Sequence, residues 1–156
     1  MLRLKTFWRG YKAEVVLIPL LFLADRISKI LALVYLRLLG KVEILPFFNL
    51  TYVENTGAAF GTFQNGNILL ALLSIVFLFL IFKWRSDILP YGKFAHYGII
   101  LIIAGALGNL YDRIVLGFVV DYFDFIVWPV FNIADSCITI GAVLVFIALI
   151  KNRHKK

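Results

Sequence analysis

Residues 105–136, GALGNLYDRIVLGFVVDYFDFIVWPVFNIADS, leave one apolar run and lead into another, and they hold Asp112, Asp121, Asp124 and Asp135, four of the nine acidic residues of the chain. Asn109, Arg113 and Asn132 stand among them, in a sequence that is 62% hydrophobic. A carboxylate within the hydrocarbon of a bilayer costs about 2.5 kcal/mol or more unless it is paired or wetted, so an acidic cluster flanked by hydrophobic spans marks a functional site.

The rest of the chain supplies the membrane setting. At 156 residues it is a single domain, 1–156, and a mean hydropathy of +0.93 with 16% charged residues lies far from the profile of a soluble globular protein. The net charge of +7 raises the question of nucleic acid. However, the basic residues sit in short clusters beside apolar runs, with no basic face interleaved with stacking aromatics, so no nucleic-acid partner is expected. Cys137, the single cysteine, lies in an apolar run without a partner for a disulfide or a metal site and reads as core.

Four apolar runs have the length of a membrane-crossing helix, about 20 residues. The first, about 14–36, follows a basic amino terminus as a signal peptide would. Phe22 stands where a small residue is needed three positions before a cut after Ala24, and apolar sequence continues to Leu39, so the run is read as a retained span containing Pro19. Asp25 and Lys29, four apart, share one face of this helix and are expected to pair, while Arg26 points elsewhere and is expected to snorkel to an interface. The second span, about 67–84, has Ser74 as the one polar residue of its core. In the third, about 94–111, Ala104 and Gly108 make a small-xxx-small step that lets helices approach closely, and Gly105, Asn109 and Asp112 follow on a neighbouring face. The fourth, about 133–150, opens with Asp135 and Ser136 and contains Gly141.

Between spans one and two, residues 37–66 change texture. Phe48, Asn49, Leu50, Thr51 and Tyr52 alternate apolar and polar, the period of a strand with one greasy face, and a small sheet lying on the membrane surface is expected. A polar turn, ENTGAAFG (54–61), follows, in which Gly57 permits a close backbone approach. Orientation comes from the cations. Arg3, Lys5, Arg9 and Lys12, then Lys83, Arg85 and Lys93, then Lys151, Arg153, Lys155 and Lys156 make up eleven of the sixteen basic residues, and four spans put all three groups on one side. By the positive-inside rule both termini are cytoplasmic, and connections 37–66 and 114–130, with the acidic cluster, face outward.

The chemistry is bounded first by what is missing. His96 and His154 lie at the cytoplasmic ends of spans three and four, and there is no HExxH, GxSxG or glycine-rich phosphate loop; Ser74, Ser86 and Ser136 have no histidine in reach. No metal and no cofactor are expected. Carboxylate chemistry remains. Asp121 lies in an alternating stretch, and Asp135 in the first turn of the fourth span, 14 residues later, close enough for a chain that leaves the membrane and returns to bring the two together. Two carboxylates sharing a site hold one proton between them: the ionised one takes a proton from water while the protonated one polarises a peptide carbonyl, which is aspartyl protease chemistry. Asp135 also suits a helix cap, and Asp124 competes with Asp121, since residues three apart on a strand face opposite ways. Spacing alone does not choose between them.

Five blocks carry a family resemblance. DRISK (25–29), NTGAAF (55–60), GNLYDR (108–113), VVDY (119–122) and FNIADS (131–136) resemble, in order, the motif blocks of lipoprotein signal peptidase, the bacterial type II signal peptidase, with Ser28 where threonine is frequent. The resemblance implies four transmembrane helices with a small extracytoplasmic cradle of strands, in the bacterial cytoplasmic (inner) membrane. It implies an aspartic endopeptidase, independent of metal, that removes the signal peptide of diacylglyceryl-modified prolipoproteins by cutting before the lipidated cysteine. Matched block to block, Asp121 and Asp135 resemble the catalytic dyad. Asn55, Gly57, Asn109, Arg113 and Asn132 fall where substrate backbone is held or the dyad oriented, and Asp25, Lys29 and Asp112 fall in the supporting polar site. The expected partners are lipidated prolipoproteins and membrane lipid, with the chain acting as a monomer. The alternative from another class is a small transporter or proton channel relaying protons through Asp25, Lys29 and Asp112. It needs polar groups spread through the membrane depth, whereas these acids cluster on one side.

Overall fold

Three helices of the computed structural model, which describes residues 2–57 and 66–153, are long and apolar enough to cross a membrane: Asn67–Tyr91, Lys93–Val115 and Ile133–Lys151, with mean hydropathies of 2.3, 1.5 and 2.4. A fourth long helix, α1 (Leu2–Leu31), precedes them and continues through a π-helical turn (Ala32–Leu36) into a single turn, α2 (Arg37–Leu39). The order is completed by β1 (Lys41–Leu45), β2 (Phe48–Asn55), α3 (Asn67–Ile88), α4 (Lys93–Val115), β3 (Val119–Asp124) and α5 (Ile133–Arg153). The protein is thus a multi-pass, mainly helical membrane protein with one small antiparallel sheet. Ala58, Ala59 and Phe60 of the NTGAAF block, His154 and the last two lysines lie outside the described residues.

α1 misses the hydropathy of the other three for a reason visible in its burial. Glu14, Asp25, Arg26 and Lys29 are buried, while Val15, Val16, Leu20, Leu23, Ile27 and Ile30 are exposed. The helix is inside out, as hydrocarbon solvent demands: polar groups find partners within the protein and apolar ones face lipid. Arg26 corrects the expectation of snorkelling. Its guanidinium bonds Asp112 of α4 and lies 4.7 Å from the centre of the Tyr111 ring. Three residues from Lys29 on the same helix, it shares that residue's face, and both cations converge on one carboxylate. α3 is the opposite case. Leu78 is its one buried residue, and Ser74 satisfies itself by donating to the Leu70 carbonyl at 2.8 Å.

α4 is the hub, packed against α1, α3 and α5 and buried over most of its length. Its closest neighbour is α5, and the reason is a seam of small residues. A Cβ at Gly98 would stand 2.7 Å from the Gly141 carbonyl oxygen, one at Gly141 would stand 2.6 Å from the Gly98 carbonyl oxygen, and one at Gly105 would overlap the Ala134 carbonyl. Without driving force from water, such close backbone approach is what holds helices together in lipid. The seam differs from the Ala104–Gly108 step read in the sequence: Gly108 faces Asp25 of α1, and its missing side chain makes room for that carboxylate.

The sheet, ordered β1-β2-β3 and antiparallel throughout, pairs Lys41 with Thr51, Val53 with Asp121 and Asn55 with Val119. It packs on the continuation of α1 through Ala32, Leu36, Val120 and Tyr122. Two polar bonds then fix its height: the Tyr122 hydroxyl donates to Ser28 Oγ at 2.7 Å, and the Val120 N–H donates to Asp112 Oδ2 at 3.2 Å. Asp121 is thereby held over the end of the helix bundle.

Candidate active site

Asp135 reaches the site as part of a helix cap. Asn132 is the N-cap of α5: its Oδ1 accepts the Asp135 N–H at 2.9 Å, and its own N–H donates to Asp135 Oδ2 at 3.2 Å, the reciprocal pair of a capping box. The capping role weighed for Asp135 from sequence is therefore real, but it occupies one oxygen. The other, Oδ1, accepts from Asn109 Nδ2 of α4 at 2.7 Å.

Asp121 comes from the opposite side, on β3. Its Oδ1 accepts from Asn132 Nδ2 at 2.6 Å and its Oδ2 from Asn55 Nδ2 at 2.8 Å. Asn55 is itself fixed by the Gly57 N–H, which donates to its Oδ1 at 3.0 Å. One asparagine, Asn132, thus bridges both carboxylates. Burial first, and the negative charge of Asp135 second, push the Asp121 carboxyl from its usual 3.8 up to about 7. Asp124 lies apart from the cavity. It accepts from the Thr51 hydroxyl and the Ile126 N–H, both at 2.8 Å, at the outer end of the sheet, and these bonds hold it below the usual carboxylate range.

Behind the two carboxylates lies a layer of ion pairs. Lys29 Nζ stands 3.0 Å from Asp25 Oδ2 and 3.1 Å from Asp112 Oδ2, and it donates to Asn109 Oδ1 at 2.8 Å. Because ammonium only donates, Asn109 must turn its oxygen to Lys29 and its N–H₂ to Asp135. Asp25 Oδ1 also accepts the Ala134 N–H at the start of α5, at 3.0 Å. Arg26, which sequence reading assigned to a lipid interface, completes this layer; its spacing from Lys29 was the available signal.

In front of the carboxylates is a cavity of about 580 Å³. Asn55, Gly57, Asn109, Arg113, Asp121 and Asp135 line it, together with Trp128, Val130, Ile138 and Thr139, which sequence reading did not single out. Asn132 is fully buried behind the wall, as are Asp25, Lys29 and Asp112. Arg113 faces the cavity with its Nε buried and unbonded among the described residues. His96 belongs to the far end of α4, where its Nδ1 stands 3.8 Å from Glu14. Among the described residues no three His, Cys, Asp or Glu side chains are grouped as metal ligands.

What this arrangement offers chemically is two carboxylates, one buried and one partly buried, linked through Asn132, aligned by amides and open to one cavity. Comparison with known proteins agrees in scale and in extent. The model of the family described as signal peptidase (SPase) II matches residues 17–151. A lipoprotein signal peptidase of Clostridioides difficile (strain 630) is 48% identical over 139 residues, covering 85% of this chain and 91% of the relative. One of Clostridium acetobutylicum is 38% identical over 149 residues, covering 92% and 97%. A solved bacterial membrane enzyme superposes with a TM-score of 0.84 at 32% identity, covering 93% of this chain and 92% of that one. The match runs through all four long helices and the sheet, and the chain belongs to the signal peptidase II family.

Proposed function

We propose that this chain is an aspartic endopeptidase that removes the signal peptide from diacylglyceryl-modified prolipoproteins, cutting before the lipidated cysteine. The observation that carries the reading is the pair Asp121, buried, and Asp135, partly buried, two carboxylates held by amides and linked through Asn132. In the proposed step one carboxylate is ionised and the other protonated. The ionised one takes a proton from water, the water oxygen adds to the scissile carbonyl carbon, and the protonated one gives its proton to the carbonyl oxygen. Collapse of the tetrahedral intermediate breaks the C–N bond, with a proton passing from the dyad to the leaving nitrogen. An Asp121 carboxyl raised to about 7 suits a pair that keeps one proton near neutral pH. Arg113, free of ion pairs among the described residues, is placed to hold a substrate carbonyl, and Asn55, Asn109 and Asn132 hold the dyad. No metal enters the step.

The cation clusters support an orientation with both termini on the cytoplasmic side of the inner membrane and the cavity on the outer side, where water meets a substrate anchored in lipid. Lipidated prolipoproteins are the proposed partners, with the chain acting as a monomer. The transporter reading loses its motive: Asp25, Lys29 and Asp112 are mutually paired at one end of the bundle, and α3 carries only Ser74 in its core.

The test is a gel-shift cleavage assay on a purified prolipoprotein with and without its diacylglyceryl group, comparing wild type with Asp121→Asn and Asp135→Asn, in EDTA and without it. Cleavage of the lipidated substrate alone, insensitive to EDTA and lost in both folded variants, supports the proposal. Loss in EDTA that added metal restores, or full activity in either variant, removes it.

A further inference from the structure

The chain between β3 and α5 contains Phe125-Ile126-Val127-Trp128-Pro129-Val130-Phe131, seven residues without one polar functional group apart from the indole N–H. A soluble surface loop of that composition would collapse inward. Here the flanking phenylalanines pack together: Phe125, still 39% exposed, stacks on Phe131, centroids 5.9 Å apart at 10°, and packs against Phe48 at 4.8 Å. Pro129 and Val130 turn to the cavity, and the three residues before them are displayed. Val127 is 93% exposed, Trp128 61% and Ile126 57%.

The display is held in place. Asp124 Oδ1 accepts the Ile126 N–H at 2.8 Å, the Val127 N–H donates to the Phe125 carbonyl at 2.7 Å, and Ile126 is forced to a φ of 65°, a region that β-branched residues rarely occupy. Strain spent on turning an isoleucine and a valine outward has no return within the protein. Through Phe48 the loop adjoins the β1–β2 turn, where Leu45 and the 60% exposed Phe47 extend the same apolar surface. On its other side the surface is continuous with the lipid-facing bundle, because Trp128 lines the cavity together with Ile138 and Thr139 of α5, below which Ile140, Val143 and Phe146 are exposed. Val127 is also tethered six residues before α5 begins, so it lies within roughly 20 Å of the start of a membrane span.

We propose that the 125–128 loop and the neighbouring β1–β2 turn form a wedge that inserts into the bilayer the helices cross, at the boundary of head groups and acyl chains. Val127 and Phe47 are its apolar tips, and Trp128 stands where an amphipathic ring is favoured. The wedge seats the sheet on the membrane, so that one rim of the cavity is continuous with lipid. The proposal rests on the membrane fold and stands independently of the peptidase chemistry.

The full chain carrying Val127→Cys in a Cys137→Ala background, labelled with the environment-sensitive fluorophore NBD, is reconstituted in phosphatidylcholine vesicles without substrate. Should the background misfold, Cys137 is kept and labelled wild type supplies the blank. Insertion predicts at least a twofold quenching by phosphatidylcholine doxyl-labelled at carbon 5 and little by aqueous iodide. Quenching by iodide alone overturns the proposal. So does lipid quenching that appears only after lipidated substrate is added, which would make the loop a substrate seat, or emission that changes only on raising the protein-to-lipid ratio, which would make it a contact between copies.

Discussion

Two buried clusters of charge lie at opposite ends of α4, about 24 Å apart between His96 and Asp112, and they are built differently. At the His96 end, Glu14 of α1 is gripped by Arg85 of α3 through two bonds of 2.8 and 2.6 Å. At the Asp112 end there are four carboxylates, of which Asp25, Asp112 and Asp121 are buried and Asp135 is partly buried. Asp25 and Asp112 are paired with Lys29 and Arg26, as Glu14 is with Arg85. Asp121 and Asp135 have no cation within ion-pair distance among the described residues, only amides. A carboxylate paired with a cation serves to join helices. One held by amides at the edge of a cavity is left without a fixed counter-charge. The type of partner, more than burial, separates scaffold from chemistry.

That distinction is broken most severely where the chemistry is removed. Asp121→Asn and Asp135→Asn are each expected to lower kcat/KM on a lipidated prolipoprotein by at least about 10³-fold, since the third carboxylate on the cavity lining, Glu54, is engaged by the Tyr52 hydroxyl and by Arg37 instead of by the Asn132-linked pair. Stability should move little. Asp121→Asn turns one of two acceptors into a donor facing Asn55 or Asn132, at about 1 kcal/mol, and it relieves the cost of a buried acid. Thermal unfolding in detergent checks the second half. A variant that is both inactive and grossly unstable would place Asp121 with the scaffold.

Lys29→Met attacks the scaffold directly. It strands Asp25 and Asp112 without the cation they share and removes the donor that orients Asn109, an expected loss of about 3–5 kcal/mol. Unfolding midpoint and yield of folded protein are the readouts. If the variant were as stable as wild type but inactive, Lys29 would belong to the chemistry and the division by partner type would fail.

Glu14→Gln is the matching change at the other end, and smaller, because the amide still accepts one bond from Arg85: about 2–3 kcal/mol of stability, with cleavage per folded molecule unchanged. Exchanging the pair, Glu14→Arg with Arg85→Glu, should recover part of the loss. A drop in cleavage by folded Glu14→Gln would show the two ends coupled through α4.

The same contrast sorts what was legible in the sequence. Spans two to four follow from composition, and Asp25 with Lys29, or Asn109 with Asp112, follow from helical spacing, because these are local regularities. Partners chosen across the bundle are not local. The spacing of Arg26 from Lys29 gives the face it shares, but nothing local shows that Asp112, 86 residues away, completes its charge. The Glu14–Arg85 pair and the Gly98–Gly141 contact are of the same kind. Asp121 and Asp124 were inseparable by spacing. What decides between them is the register of β3 on β2, which sets Asp121 beside Val53 and within reach of Asn55. β1 alternates only over Lys41, Val42, Glu43 and Ile44, too short a run to stand alone, and is fixed as a strand by its pairing with β2.

The mildest test sharpens the contrast through pH. Because burial raises the Asp121 carboxyl from 3.8 to about 7, the folded protein keeps a proton there that the unfolded chain has already released. Between roughly pH 4 and 7 this group therefore makes stability fall as pH rises, the reverse of a carboxylate held by a cation, and Asp121→Asn should flatten that slope. Activity follows the same proton. Above about pH 7 the pair loses it, and kcat/KM should drop about tenfold per pH unit. In Asp135→Asn the second cause of the shift is gone while burial remains, so carbon-detected NMR titration of Asp121 should give a value lower than in wild type but still above 3.8. A value at 3.8 would mean that the neighbouring charge, and not burial, holds the proton against the amides that favour the ionised form.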